Sequence, residues 1–134
     1  MKVVVQRVTE ANVEVDSKIV GNIDKGLVVL VGFTQEDSLE TIKWIVNKIV
    51  NLRIFNDDND IMNLSLKDIE GKILSIPQFT LYADTKKGNR PNYIKALNGD
   101  EASKLYREFN KYLKEENINV EEGIFAADMK VNLI

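Results

Sequence analysis

The sequence predicts an α+β fold in a single domain, with a mostly antiparallel, barrel-like β-sheet and two amphipathic helices. Three observations predict it: about seven short apolar segments typical of strands, two longer segments with apolar residues at helical spacing, and short turns between most strands. At 134 residues the chain has the length of one ordinary domain, so we expect residues 1–134 to fold as one unit.

The amino-terminal part of the chain is predicted to form four strands. Val3 and Val5, and later Val13 and Val15, stand at alternate positions, which predicts a hairpin with its turn at residues 10–12. A short strand follows over residues 19–23. Residues 27–33 are an uninterrupted apolar run, which is typical of a central strand covered on both faces.

Two segments place their apolar residues on one helical face. The first is predicted to open with a capping box, with Asp37 as N-cap and Glu40 reaching back, and the second opens near Asn98 with Glu101 in the same relation. The apolar positions are Leu39, Ile42, Ile45, Val46, Ile49 and Val50 in the first helix and Ala102, Leu105, Phe109, Tyr112 and Leu113 in the second. These faces indicate packing against a core.

The remaining segments add strands and one acidic turn. Residues 53–55 and 72–76 have the composition of strands, and two last strands are expected over residues 117–120 and 124–133. Residues 56–60 carry closely spaced oxygen ligands, but the glycine and glutamate of a calcium-binding EF-hand loop are missing from the required positions. We interpret this segment as a turn.

The sequence contains no cysteine and no histidine. These absences exclude a disulfide, a thiolate nucleophile, a histidine general base, a Ser-His-Asp triad and a zinc site made of cysteine and histidine. An enzyme with this sequence must move protons with carboxylates, lysine, tyrosine, water or the substrate itself. It must stabilise developing charge with backbone N–H groups or hydroxyls.

Charge and hydropathy limit the partners. A formal net charge of −3 argues against a protein that coats nucleic acid through phosphate contacts alone, and we expect no DNA partner. No apolar run approaches the roughly 20 residues needed to cross a bilayer, and the first residues become polar too soon for a signal peptide. We therefore expect no membrane partner and a cytoplasmic location.

The stretch from Gln78 to Tyr93 has the residues best suited to chemistry. We expect it to begin as a strand, with Pro77 interrupting the ladder because proline has no N–H to donate. Thr80 offers a hydroxyl. Because no histidine is present to activate it as a nucleophile, a hydrogen-bonding role is easier to support than a covalent one. The freed N–H groups of Phe79 and Thr80 offer an oxyanion site instead.

A basic loop follows in the same stretch. It carries Lys86, Lys87 and Arg90, with Tyr82 and Tyr93 on either side. Two interpretations fit this pattern. One is an ordinary solvated surface loop, and the other is a site for RNA phosphates in which the tyrosines stack on bases.

The chain resembles the D-aminoacyl-tRNA deacylase family in five separated segments, which match in order and spacing. They are residues 3–8, 26–32, 52–55, 78–91 and 123–129. The resemblance implies a hydrolase that cleaves the ester between a D-amino acid and the 3′-terminal adenosine of tRNA. It also implies a cytoplasmic homodimer that uses no metal or other cofactor.

The resemblance also implies roles for individual residues. The N–H of Phe79 is implied to donate to the oxyanion and Thr80 to supply a site hydroxyl, while the terminal ribose's own 2′-hydroxyl assists attack on the ester. Arg7 is implied to brace the loop that selects chirality. The other implied contacts, all with the substrate, are Pro77, Gln78, Phe125, Ala127 and Met129. From the composition of the basic loop itself, we expect Lys86, Lys87 and Arg90 to contact tRNA phosphates.

The chain departs from the family pattern at three places. Pro77 stands where the family has serine, and Ala126 stands where glycine is usual. The family also continues past the equivalent of Ile134 into a Gly-Pro motif with a cis peptide bond, which enters the partner subunit's site and rejects L-amino acids. We expect the 134-residue form to be shortened, with weakened activity or weakened chiral discrimination.

Two other functions fit the sequence. One is a non-catalytic dimeric module that binds RNA through residues 86–95. The other is an esterase for a different small acyl substrate, whose activity would not require the 2′-hydroxyl of tRNA. Cleavage of an aminoacyl-tRNA ester separates both from the deacylase.

Overall fold

Nine β-strands and two α-helices make up the fold, which we describe from a computed structural model of all 134 residues. In chain order the elements are β1 (Lys2–Val8), β2 (Ala11–Val15), β3 (Lys18–Ile23), β4 (Gly26–Gly32), α1 (Leu39–Asn51), β5 (Phe55–Asn56), β6 (Met62–Leu64), β7 (Lys72–Pro77), a 3-10 turn (Phe79–Tyr82), α2 (Gly99–Glu115), β8 (Val120–Glu122) and β9 (Lys130–Leu133).

The strands form three sheets. The central sheet has the order β1-β4-β7-β8, in which β4 is antiparallel to β1 and parallel to β7, and β7 is parallel to β8. A second sheet has the antiparallel order β3-β2-β9, and β5 pairs with β6. The predicted α+β class with two helices is confirmed, and the sheets stay open rather than closing into a barrel.

Residues on the two faces of β4 point into different cores. Leu27, Val29 and Val31 join a cluster of 17 buried residues between the central sheet and the two helices. Val28 and, from β7, Leu74 join a cluster of seven between the central sheet and the second sheet. The molecule therefore has three layers, helices, central sheet and second sheet, and β4 is the doubly covered central strand that its apolar run predicts.

The predicted hairpin between the first two strands is wrong. β1 pairs along its whole length with β4, whereas β2 pairs with β3. The turn that joins β2 to β3 is made by Asp16 and Ser17, whose φ angles are 50° and 63°. Positive φ at both central residues is the geometry of the tight turns whose twist matches that of two paired strands, so the hairpin forms there.

Both helices begin near the predicted positions, but the cap of α1 is shifted by one residue. Ser38 is the N-cap, with its Oγ accepting from the Thr41 N–H at 3.4 Å and its own N–H donating to Thr41 Oγ1 at 3.3 Å. Asp37 instead accepts from the amino-terminal ammonium at 2.5 Å. In α2, Asn98 Oδ1 accepts from the Glu101 N–H at 3.1 Å, which is the predicted N-cap, but the Glu101 side chain does not complete the predicted capping box. Neither helix has the length and apolarity needed to span a bilayer.

The acidic segment at residues 56–60 forms a turn, as predicted. Asp57 Oδ1 accepts from the N–H groups of Asn59 at 2.9 Å and Ile61 at 3.1 Å. These hydrogen bonds hold the pKa of the Asp57 carboxyl below its usual range, the Ile61 N–H contributing most. This carboxylate therefore closes the turn by capping its backbone amides.

Candidate active site

The site lies where the parallel strands β4 and β7 end side by side. Pro77 is opposite Val31 in the register, and the Gln78 N–H donates the last ladder hydrogen bond, to the Val31 carbonyl oxygen at 2.8 Å. The chain then enters a 3-10 turn over Phe79–Tyr82, so the strand predicted to start this stretch is wrong. Gly32 permits the close approach of the turn to β4, because a Cβ there would lie 2.8 Å from the Gln78 carbonyl oxygen.

A cavity of about 540 Å³ opens beside this turn. Its walls come from the ends of β4 and β7, the turn, the start of α2 and the segment between β8 and β9. The lining residues are Val31, Phe33, Ile76, Pro77, Gln78, Phe79, Leu97, Gly99, Ala102, Phe125, Ala126, Ala127, Met129 and Val131. None of these side chains is ionisable, and only Gln78 has an amide to donate or accept a hydrogen bond.

The structure brings most of the predicted substrate contacts together in this cavity. The six that line it are Pro77, Gln78, Phe79, Phe125, Ala127 and Met129. Thr80 lies just outside the lining, and its Oγ1 accepts a hydrogen bond from Gln78 Nε2. Sequence reasoning missed the wall made by the start of α2, since the apolar spacing of that helix indicated only core packing.

Four predicted residues lie elsewhere. Arg7 is opposite Leu27 at the start of β4, and its Nη1 donates to the Ile54 carbonyl oxygen at 2.8 Å and to Asn56 Oδ1 at 3.3 Å. The side chain thus ties β1 to the chain around β5 and does not reach the cavity. The other three line a separate, polar cavity of about 560 Å³ and are Lys86, Lys87 and Arg90.

The wall between β8 and β9 is a turn, not the strand that the sequence predicts. The Ala127 N–H donates to the Ile124 carbonyl oxygen at 3.2 Å, and Ala126 has a φ of 64°. A non-glycine residue in this left-handed region is uncommon and strained. The turn carries the chain from the central sheet to the second sheet and brings Phe125 and Ala127 to the cavity.

A buried hydrogen bond supports the back of the cavity. Tyr106 of α2 donates from its hydroxyl to the Ser75 carbonyl oxygen at 2.8 Å, and the Gly123 N–H donates to the same oxygen at 2.9 Å. Burial raises the pKa of the Tyr106 hydroxyl, which keeps it in the neutral form that can donate. The Tyr106 ring also packs on Phe125, with centroids 6.1 Å apart. The end of β7, α2 and the turn after β8 are thereby joined behind the site.

Comparison of the sequence with protein families and related sequences gives consistent names. Residues 4–134 match the family described as D-Tyr-tRNA(Tyr) deacylase. A D-aminoacyl-tRNA deacylase of Clostridium botulinum (strain Eklund 17B / Type B) is 53% identical over 99% of this chain and 89% of its own length. One of Flavobacterium psychrophilum is 56% identical over 100% of this chain and 90% of its own length.

Two solved structures share the fold. The structure described as c-Myc DNA Unwinding Element Binding Protein superposes with a TM-score of 0.93 at 35% identity, covering 99% of this chain and 91% of that one. A structure described as a probable eukaryotic D-amino acid tRNA deacylase superposes with a TM-score of 0.83 at 18% identity, covering 98% and 92%.

Proposed function

The chain belongs to the D-Tyr-tRNA(Tyr) deacylase family and is a hydrolase acting on aminoacyl-tRNA, and we propose that it cleaves the D-aminoacyl ester in the cavity beside the 3-10 turn. The observation that carries this proposal is an apolar cavity of about 540 Å³ with the first amides of that turn at its edge. The substrate is the 3′ end of a D-aminoacyl-tRNA, which the enzyme removes from translation by chiral proofreading in the cytoplasm.

The cavity suits the adenosine end of the substrate. Its volume falls in the range of roughly 300–1,000 Å³ that small-molecule sites occupy. Apolar walls favour the faces of a purine and a ribose, and Phe125, Ala127 and Met129 border this part. Gln78 supplies the single side-chain amide that can orient a polar group, and Pro77 forms the adjoining wall.

Backbone amides provide the charge stabilisation. A 3-10 turn leaves its first N–H groups without a carbonyl one turn earlier, and no side chain caps this turn at Gln78. The N–H of Phe79, with that of Thr80 beside it, donates to the oxygen of the ester carbonyl as negative charge develops there. The Thr80 hydroxyl, already bonded by the Gln78 amide, keeps that amide oriented.

The substrate supplies the proton relay. Since no side chain lining the cavity is ionisable, no protein group there can act as a general base. A water molecule attacks the carbonyl carbon, and the vicinal 2′-hydroxyl passes a proton from this water to the departing 3′-oxygen. The bond between the carbonyl carbon and the 3′-oxygen breaks, which yields the free D-amino acid and a tRNA with an intact 3′-hydroxyl.

Regions outside the cavity contribute to binding and assembly. Lys86, Lys87 and Arg90 contact tRNA phosphates, which their exposed, polar cavity supports. The protein works as a homodimer. Arg7 acts by bracing, which its hydrogen bonds to Ile54 and Asn56 support better than they support a direct substrate contact.

Hydrolysis of matched D-tyrosyl-tRNA and L-tyrosyl-tRNA tests the proposal. We expect the protein to release D-tyrosine faster than L-tyrosine, and to lose this activity when the terminal ribose carries a 2′-deoxy group. Hydrolysis of both esters at the same rate with and without the protein would refute the proposed activity. Hydrolysis of the 2′-deoxy substrate at the normal rate would support the hydrolase activity but refute the proton relay through the 2′-hydroxyl.

A non-catalytic nucleic-acid-binding module is the second candidate. The separation of the basic cavity from the apolar one favours it, as does the DNA-binding name carried by one protein of the same fold. Such a module would bind tRNA in a salt-dependent manner and leave both tyrosyl esters intact.

A further inference from the structure

We propose that Phe79 and Tyr93 form a stacking platform for the nucleobase that precedes the terminal adenosine of the RNA. The platform is a second nucleotide subsite, outside the cavity that takes the adenosine. It rests on the proposed function for the identity of its ligand, a single-stranded RNA 3′ end. Three observations carry it: two exposed rings in contact, a fixed backbone beneath one of them, and a cationic loop alongside.

The two rings are unusually exposed for aromatic side chains. Phe79 is 56% exposed and Tyr93 is 37% exposed, and the neighbouring Ile94 is 80% exposed. The rings meet edge to face, with centroids 5.2 Å apart and planes at 69°. In such an arrangement the edge of one ring covers only one face of the other, so aromatic surface remains open for a third ring. Contiguous exposed apolar groups of this kind mark binding surfaces.

Phe79 links this pair to the cavity. Its side chain lines the cavity and also contacts Tyr93. A nucleotide chain whose terminal adenosine fills the cavity therefore passes the Phe79–Tyr93 pair on leaving it. The base reached first is the one joined to the adenosine by a single phosphate.

Tyr93 sits on a backbone that hydrogen bonds hold in place. Just before it, Asn92 and Asp84 exchange two backbone hydrogen bonds, at 2.8 and 2.9 Å. Just after it, the Ile94 N–H donates to Asn92 Oδ1 at 2.8 Å, and the Tyr93 carbonyl oxygen accepts from the Ala96 N–H at 3.0 Å. A platform fixed before the ligand arrives loses little entropy on binding.

The charge beside the platform matches a nucleotide backbone. The Asp84–Asn92 bridge closes a loop that carries Lys86, Lys87 and Arg90, and Asp84 is the one acid lining the same cavity. The Asp84 carboxylate already accepts from the Lys86 N–H at 3.0 Å. Aromatic faces for bases next to cations for phosphates are the combination that binds single-stranded nucleic acid.

The structure also separates the two tyrosines that the sequence offers as stackers. Tyr82 turns toward the protein: the Lys2 ammonium lies 4.8 Å from its ring centroid, and a Cβ on Gly32 would lie 3.5 Å from the ring. Tyr93 alone combines exposure with contact to the cavity wall. The stacking role therefore belongs to Tyr93.

Two substrates of different length test the platform by kinetics. D-tyrosyl-tRNA reaches the platform, whereas D-tyrosyl-adenosine, which has no preceding nucleotide, does not. We expect Tyr93→Leu to lower kcat/KM for the tRNA roughly 10-fold, within the range for one stacked base, and to change that for the adenosine ester less than about twofold. Tyr93→Phe, which keeps the ring, is the matched control and should retain the wild-type rate on both substrates. Equal losses on both, or none on either, would overturn the proposal.

A binding measurement keeps the test independent of catalysis. By calorimetry the wild-type protein should bind the dinucleotide cytidylyl-adenosine roughly 10-fold more tightly than adenosine, and Tyr93→Leu should abolish that advantage. If the wild type hydrolyses neither ester but shows the advantage, the proposed function fails and the nucleotide platform stands. If the dinucleotide binds no more tightly than adenosine, the platform is refuted. A change of oligomeric state in Tyr93→Leu would then assign the two rings to a protein interface.

Discussion

The 3-10 turn at the edge of the apolar cavity and the basic loop lie on one stretch of chain, residues 78–93, but the two cavities that they border differ in almost every physical property. The cavity has apolar walls and no ionisable side chain, whereas the loop cavity has three cations and, apart from Pro91, only polar side chains. The first can lower a reaction barrier only through backbone amides and the substrate's own groups. The second can attract a polyanion over a distance but offers nothing to an ester. Under the proposed function, this difference separates the site of chemistry from the site of tRNA recognition within sixteen residues of sequence.

The largest expected effect comes from removing the N–H of Phe79. Phe79→Pro deletes this donor. Proline suits the position because Phe79 begins a 3-10 turn, and because Gln78 before it (φ −146°, ψ 86°) lies outside the helical region that proline disfavours in the preceding residue. We expect kcat for D-tyrosyl-tRNA to fall about 10²–10³-fold, the usual cost of one oxyanion donor.

Phe79→Ala is the control for that change, because it removes the ring and keeps the N–H. Its kcat should stay within about 10-fold of wild type, since it loses at most the stacking of one base. If the two variants had the same kcat, the Phe79 amide would have no role in the reaction. Single-turnover hydrolysis separates this effect from binding.

The next largest effect comes from the loop. Lys86, Lys87 and Arg90 changed together to Gln should raise KM for tRNA roughly 10-fold and reduce the slope of log affinity against log salt, by about 0.7 for each single-strand phosphate that the variant no longer neutralises. Hydrolysis of D-tyrosyl-adenosine should not change. A charge-matched control replaces three exposed cations of α2, which are Lys104, Arg107 and Lys111. If both triple variants had the same salt dependence, net charge rather than this loop would bind the tRNA.

The sequence predicted the two halves of this stretch unequally. The basic loop is visible in the composition of its own residues, just as β4, elsewhere in the chain, is visible in its apolar run. The 3-10 turn after Pro77 is not visible in the sequence, because its apolar residues also fit a strand. The turn also depends on a distant residue, Gly32, which leaves space for Gln78. Strand pairing was missed for a related reason, since β1 finds its partner across the intervening β2–β3 hairpin.

Residues that line the cavity were predicted where a family motif marked them, and missed where they were only apolar. Phe125 and Ala127 were found through the resemblance, although the local structure expected there was a strand. Leu97 and Ala102 were not found, because in sequence a cavity wall and a helix core face have the same spacing. A cavity wall differs from a helix core face only because the end of β7 and the start of α2 meet in space, which the sequence does not show.

A smaller effect is expected on stability, at the hydrogen bond behind the cavity. Tyr106→Phe removes the donor to the Ser75 carbonyl oxygen, which still accepts from Gly123, so the free energy of unfolding should fall by about 1 kcal/mol. The pKa of Tyr106 is raised by burial above its ordinary value of 10.0. The stability linked to this group is therefore complete below about pH 10 and is lost as the pH rises further, because the unfolded chain ionises first.

Urea unfolding from about pH 8 to about pH 11 measures this linkage. The difference in stability between wild type and Tyr106→Phe should be constant up to about pH 10 and should shrink above it. A difference that stays constant over the whole range would show that the Tyr106 hydroxyl titrates alike in both states. Tyr82, whose pKa burial also raises, is present in both proteins and cancels.

The smallest effect is expected in the turn that closes the cavity. Ala126 has a φ of 64°, a conformation that costs an L-residue about 1–2 kcal/mol. Glycine avoids this cost, but it loses about 0.5–1 kcal/mol because its unfolded chain has more conformational entropy. Ala126→Gly should therefore stabilise the protein in urea unfolding by about 0.5–1 kcal/mol, the centre of the range of about 0–1.5 kcal/mol that these two costs leave. Ala127→Gly, at a position without positive φ, is the control and should destabilise it by about the same amount. If both variants destabilised alike, the turn would carry no strain. Ala126→Gly could also stabilise the fold while KM for D-tyrosyl-adenosine stays at the wild-type value. That result would show that the backbone strain does not affect substrate binding. The shape of the cavity would then be set by the path of the backbone and not by the methyl group of Ala126.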